Sequence, residues 1–381
     1  MVKVKNMEHI LIFKDDIIKY PPIISIINYL LKRHVNVTIL GYCSNSSITK
    51  SYIQNGVKYY NIIGDLQKHQ KLFKLKELYC YRERVFKWVK TNANSDSTIW
   101  LFGCQEIWLL HPVIDNYKTI LYLFEMPSFN VPIRYKLFCD DQAYFSSFVS
   151  QNTKVVCCEY NRAHITKAYF GLNKLPYIIP NKPLISEDFE SHKIQLPFDT
   201  TDKKIILYQG IFNYPERKLD EFCKAVEYLP KEFVLILMGT ESEYKKSLYK
   251  KYHSNRIYFL PFYPTPTHLQ ITKLAYIGIL SYNTVSNSIL NTLNLLYCAP
   301  NKIFEYAKFG IPMLSNDLPA LNSIFSKFNA GVCDSICTPL SLSECIINID
   351  NNYELYSQGA HLLYDSVNIE ALLNSLLNDW I

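Results

Sequence analysis

Two series of short, almost uninterrupted apolar runs, set apart by one polar stretch, leave this 381-residue chain few ways to fold. The first series comprises "HILIF" (His9 to Phe13), "VNVTILGY" (Val35 to Tyr42), "STIWLFG" (Ser97 to Gly103), "TILYLFE" (Thr119 to Glu125), "KVVCCE" (Lys154 to Glu159) and "PYIIPN" (Pro176 to Asn181). The second comprises "KIILYQG" (Lys204 to Gly210), "FVLILMG" (Phe233 to Gly239), "RIYFLPF" (Arg256 to Phe262), "IGILSY" (Ile277 to Tyr282), "IPMLSN" (Ile311 to Asn316) and "AGVCD" (Ala330 to Asp334). Strands with one face in water alternate polar and apolar residues; these do not, so both faces must be covered. Helical patterns lie between most of them, as in "YPPIISIINYLLKR" (Tyr20 to Arg33), entered at proline. The expectation is α/β, with doubly wound parallel sheets in tandem.

The length suits two domains. We expect an N-terminal Rossmann-like domain over 1–183, a linker rich in Pro, Ser and charge over 184–202, and a C-terminal Rossmann-like domain over 203–365. The closing segment 366–381 contains "NIEALLNSLLNDW", with helical spacing, and is free to pack back on the first domain. Ligands of such sheets bind at the carboxyl ends of the strands. With two such domains, the expected site is the cleft between them.

Several function classes fall away. The apolar run near the N-terminus stops at Lys14-Asp15-Asp16, short of the about 7 to 15 residues a signal peptide needs. No window approaches the ~20 apolar residues of a membrane span. The eleven cysteines show no paired metal spacing; Cys333 and Cys337 form a C-x-x-x-C with no matching His/Cys pair after it. They read as reduced thiols of a cytoplasmic protein. The net charge of +6, with clusters at Lys68 to Lys76 and Lys245 to Lys251, suggests an anionic partner such as a membrane surface or a phosphorylated substrate. A solvated basic face is an equal alternative for each cluster. No recognition motif accompanies the charge, so nucleic acid is the least favoured partner.

The segment "APNKIFEYAKFGIPMLSND" (Ala299 to Asp317) carries the most chemistry. Pro300 and Asn301 open a helix whose free N–H groups and dipole favour an anion. Lys302 puts a cation in that first turn, unfavourable by a few tenths of a kcal/mol unless a phosphate binds there. Glu305, one turn along and roughly 5 Å away, can accept two hydroxyl hydrogen bonds, as from a ribose diol. The sequence leaves a second reading open: Asn301 caps an amphipathic helix while Lys302 and Glu305 are solvated.

This segment resembles the nucleotide-sugar-binding segment of retaining GT-B glycosyltransferases, glycosyltransferase family 4, in a branch reading Pro-Asn-Lys-x-Phe-Glu-Tyr. The resemblance implies the GT-B fold, with two Rossmann-like domains facing across a cleft. It places Glu305 on the donor ribose and the amides around Asn301, Lys302 and Ile303 on the diphosphate. Many members carry another glutamate eight positions earlier, where this chain has Tyr297.

Upstream, "IILYQGIFNYPERKLDEFCKAV" (Ile205 to Val226) resembles the family's strand, glycine turn and helix. By this likeness Gly210 lets the diphosphate approach, Arg217 grips it and Lys218 is an alternative charge. The loop Leu260 to Tyr263 is where the base is expected. On the N-terminal side the likeness is looser, and the family's Gly-Gly loop is missing. Asp15 and Asp16 are candidates to meet an acceptor, and Glu125, ending a strand, is a catalytic candidate with Arg217 and Glu305. Glu159 and Ile179 to Asn181 follow the family's pattern, and His111 and His164 receive no role.

The function so implied is transfer of a sugar from a UDP- or GDP-linked donor to a glycan or lipid-linked acceptor. Retention of configuration, no metal or other cofactor, and a role in bacterial surface glycan synthesis at the inner face of the cell membrane go with it. A sugar-nucleotide epimerase of GT-B shape and a non-catalytic nucleotide-binding partner subunit are the alternatives.

Overall fold

Strands that are apolar on both faces need helices above and below them and a strand on either side. The computed structural model, which describes residues 8–63, 74–184, 194–283 and 288–378, meets that demand twice. The chain divides into two compact units, Met1–Leu184 with Ile369–Ile381, and Ile185–Asn368.

The first unit holds a seven-stranded sheet: β1 (Glu8–Asp16), β2 (Asn36–Tyr42), β3 (Lys58–Asn61), β4 (Thr98–Phe102), β5 (Lys118–Leu123), β6 (Thr153–Cys157) and β7 (Tyr177–Ile178). The order across it is β3-β2-β1-β4-β5-β6-β7, and every pairing is parallel. β4 is the central strand, and beside it β1 sets Ile10 opposite Thr38 of β2 and Ile99 of β4. Each buried Ile or Leu of this kind contributes about 1.5–3 kcal/mol relative to exposure. β3 escapes the sequence reading because "KYYN" is largely exposed at the sheet edge and carries no apolar run. The helix Ile369–Asn378 belongs to this unit. It buries Ile369, Leu373 and Leu376, and Asn374 Oδ1 accepts from Tyr29 Oη at 2.7 Å.

The second unit holds six parallel strands: β8 (Lys204–Gln209), β9 (Phe233–Met238), β10 (Ile257–Leu260), β11 (Ile277–Leu280), β12 (Met313–Asn316) and β13 (Gly331–Asp334). Their order is β10-β9-β8-β11-β12-β13. This is the Rossmann order, with the direction of winding reversing between β8 and β11. Of the stretch expected as a linker, 185–193 lies outside the described residues. Beyond it, Ile194, Leu196 and Phe198 pack on the core of this unit, Phe198 stacking on Tyr258 at 4.1 Å between centroids.

The basic cluster Lys245–Lys251 is not a free cationic face. Lys245 is buried, and its amine donates to the Gly239 and Leu260 carbonyls, each at 2.8 Å, and to Glu241. It ties the carboxyl ends of β9 and β10 together. The cluster Lys68–Lys76 falls mostly outside the described residues. Among those described, no helix is long and apolar enough to cross a membrane. All eleven cysteines are free.

Candidate functional site

Where strand order reverses, the loops leaving two neighbouring strands part in opposite directions and open a crevice. In the second unit that point lies beyond Gln209 of β8 and Leu280 of β11. The helix Lys302–Lys308 is fixed over it by Tyr306, whose hydroxyl donates to the Leu207 carbonyl of β8 at 2.9 Å. The Tyr306 ring lies against Gly278 of β11, where an added Cβ would stand 2.5 Å from the ring. Gly278→Ala is therefore expected to cost about 1–3 kcal/mol, read by denaturant unfolding, because a fully buried ring has nowhere to go.

Gly210 turns the chain at φ +150°, and a Cβ there would stand 2.3 Å from Lys302 Nζ. A Cβ on Gly239 would stand 1.8 Å from the Gly210 carbonyl oxygen. Two glycines thus let two loops nest and leave a slot that the Lys302 side chain fills. Its amine lies 5.0 Å from the Tyr208 ring centre and 5.9 Å from that of Tyr282. It has no hydrogen bond or ion pair among the described residues. Burial, and then the positive charge of Arg217, hold this amine down to about 7, against a smaller opposing pull from Glu305.

Arg217 stacks on the same Tyr282 ring at 4.1 Å. Its Nη1 donates to the Glu216 carbonyl, and its buried Nε has no partner among the described residues. Arg217 N donates to Asn213 O within this loop, and two bonds hold the loop to the end of β11: Ser281 Oγ to Lys218 O and Asn283 N to Glu216 O. Two cations therefore share one aromatic ring, and among the described residues no carboxylate is paired to either. Such an arrangement attracts an anion of high charge density.

Glu305, one turn from Lys302, is 6 % exposed, which removes the reading in which it is solvated. Its Oε2 accepts from Gln209 Nε2 at 2.6 Å, and its Oε1 lies 3.3 Å from His268 Nε2. Thr272 Oγ1 donates to Gln209 Oε1 at 2.7 Å and so fixes the amide. Asn301 makes no side-chain cap, contrary to the capping alternative. The Ile303 amide is already bonded to the Pro300 carbonyl at 3.3 Å, which takes it out of the set of free N–H groups. Lys218 is exposed and lines a separate open pocket of about 460 Å³ with Tyr214, Asp220 and Lys224. Phe262, in the loop expected near the base, is exposed.

Gln209, His268, Thr272 and Tyr282 were missed in the sequence. Gln209 carried a signal, being a polar residue at the end of an otherwise apolar strand. His268, in "PTPTHLQ", carried none.

In the first unit Asp15 is exposed at the end of β1, whereas Asp16 is buried and accepts from the Ser44 amide at 3.0 Å. Asp16 thus holds a loop. Glu125 is exposed. Glu159 caps the helix Tyr160–Phe170 through the Arg162 amide, and His111 Nε2 contacts the Phe138 carbonyl at 3.0 Å. Both fit structural roles. Near Asp15 lies a residue not singled out before, Glu106, 2 % exposed at the start of the helix Cys104–Ile114. Burial raises its carboxyl to about 8, although the Lys14 amide donates to it at 2.9 Å. Among the described residues no group of His, Cys, Asp and Glu is placed to hold a metal ion.

The two doubly wound parallel sheets and the whole-chain likenesses define the GT-B fold. The chain is similar to sucrose-phosphate synthase from Thermosynechococcus elongatus, with a TM-score of 0.68, 11 % identity and 98 % of each chain covered. It is similar to the Anabaena protein HepE in complex with UDP-glucose, with a TM-score of 0.66, 12 % identity, and 98 % of this chain and 99 % of that one covered. A glycosyltransferase from Rickettsia africae gives a TM-score of 0.65 at 10 % identity, covering 99 % and 98 %. No protein-family model and no curated protein sequence matches the chain.

Proposed function

We propose that this protein is a glycosyltransferase that binds a nucleoside-diphosphate sugar at the β8/β11 switch point of its second unit. One observation carries the reading: an unneutralised pair of cations, Arg217 and Lys302, converges on Tyr282, one helical turn from a buried carboxylate, Glu305. A diphosphate supplies the charge the pair lacks, and a ribose diol supplies donors for Glu305. The neighbour solved with UDP-glucose supports this choice of ligand class.

In the reaction the bond between the sugar's anomeric carbon and the diphosphate oxygen breaks, and negative charge gathers on the leaving diphosphate. Arg217 and Lys302 stabilise that charge where it develops, the task a divalent cation performs in other transferases. The acceptor hydroxyl forms the new bond at the anomeric carbon, and its proton passes to the leaving diphosphate oxygen. Retention of configuration, a UDP or GDP base, a saccharide or lipid-linked acceptor and a role in bacterial surface glycans on the cytoplasmic face of the membrane complete the proposal. Asp15 and Glu125, exposed in the first unit, are the acceptor-side candidates.

The test is a panel of UDP- and GDP-sugars screened for binding, hydrolysis and transfer by purified protein. Arg217→Ala is expected to lower kcat/KM by about 10²- to 10³-fold, the scale of losing one charge-stabilising donor. Absence of both nucleoside diphosphate binding and turnover across the panel would refute the proposal. Wild-type turnover in the Arg217 variant would remove that residue from the site.

A further inference from the structure

We propose that His268 completes the nucleoside end of this donor site, one ring nitrogen setting Glu305 and the other accepting a hydrogen bond from the bound nucleoside. The inference rests on the donor-site reading above and adds a specificity residue to it. His268 is 9 % exposed and precedes the short helix Leu269–Thr272. Its main chain is fully engaged: the amide donates to the Pro264 carbonyl, and its own carbonyl accepts from the Ile271 and Thr272 amides and from Thr272 Oγ1. The ring is not. Nε2 lies 3.3 Å from Glu305 Oε1, while Nδ1 is buried with no hydrogen-bond partner among the described residues.

A buried polar atom left unpaired costs about 1–3 kcal/mol, and native proteins keep few of them. The charge state of the neighbour decides what this one wants. A carboxylate oxygen only accepts, so Nε2 carries the hydrogen, and a neutral ring then presents Nδ1 as an acceptor. Whatever reaches that position must donate, as a base N–H does, the ribose hydroxyls being assigned to Glu305.

The same helical turn reaches Glu305 twice. His268 meets Oε1 directly, and Thr272 reaches Oε2 through Gln209. A carboxylate has about four acceptor positions, and these contacts take one on each oxygen. The plane of the carboxylate is thereby set while one position per oxygen stays open, which suits a diol.

Two substitutions separate the two ring nitrogens. His268→Gln puts an amide nitrogen near the Nε2 position and keeps the hold on Glu305, but has no acceptor in place of Nδ1. His268→Asn keeps an acceptor near Nδ1 and loses the contact with Glu305. Both fold or fail visibly in a thermal unfolding control. Calorimetric titration at pH 8 with UDP, GDP and their 2′-deoxy counterparts reads the outcome. The Gln variant is expected to bind the preferred ribonucleotide about tenfold more weakly with the ribose preference intact, the scale of one hydrogen bond. In the Asn variant the ribose preference is expected to fall towards unity. Wild-type affinities and preferences in both variants overturn the inference, as does an equal loss in both with the preference unchanged, the mark of a purely structural residue. A wild-type protein that binds neither UDP nor GDP overturns the donor site itself, a result distinct from either.

Discussion

Lys302→Met is expected to yield a protein that is more stable than the parent and has lost most of its affinity for nucleoside diphosphates. The amine titrates at about 7 in the folded chain, against about 10.4 for a free lysine, because burial and Arg217 disfavour its charge. Between those values the unfolded chain binds the proton and the folded chain does not, so stability contributed through this group rises with pH across that window. Its penalty is largest below pH 7. Methionine fills the slot over Gly210 without a charge, and the gain should be about 1–3 kcal/mol near pH 6.5, shrinking towards pH 10. Denaturant unfolding at the two pH values measures it.

Binding should carry the reverse dependence in the parent. A sugar nucleotide, whose doubly esterified diphosphate keeps a constant charge near neutrality, favours the charged amine. Above pH 7 its binding therefore takes up a proton, and affinity should fall as pH rises by up to tenfold per pH unit. In the Met variant this slope should vanish. Affinity that is level from pH 6.5 to 9 in the parent excludes Lys302 from the anion site.

Glu305→Ala is the second large effect expected. It strips the partner from Gln209 Nε2 and from His268 Nε2, both buried, so a stability loss of about 1–3 kcal/mol should accompany it. Loss of two charge-assisted bonds to a diol should weaken nucleotide binding by about 10²-fold or more, with ribose no longer preferred to 2′-deoxyribose. Glu305→Gln, which preserves volume, should recover the stability better than the ribose preference. A ribose preference that survives in both variants would show that the diol is held elsewhere.

The sheets were legible because parallel strands covered on both faces must be written in consecutive Ile, Val and Leu, and such runs are local. β3 was not, since an exposed edge strand is freed from that rule. At the site, Glu305 and Lys302 were legible because one helix carries them both, and a helix makes its spacing visible. The residues that orient Glu305 come from β8 and from the turn before Leu269, and no local periodicity joins positions 209, 268 and 305. Burial was the other hidden term. The sequence left Glu305 poised between a solvated and a functional role, and only the packing of Tyr306 on Gly278 removes the first. Glu159 shows the converse, an acid in a suggestive place that spends its carboxylate on a helix end.

The placement of helix Ile369–Asn378 in the first unit bears on synthesis at the ribosome. The second unit is an insertion between the first unit and its last helix. A nascent chain that has emerged through Leu184 still lacks Ile369, Leu373 and Leu376, and with them the cover for part of its apolar surface. At about 5–20 residues per second, making the intervening segment takes on the order of 10–40 s. The second unit is contiguous in the chain and can close once Asn368 has emerged, while the unit begun earlier waits, partly uncovered and open to chaperones, for the helix that follows.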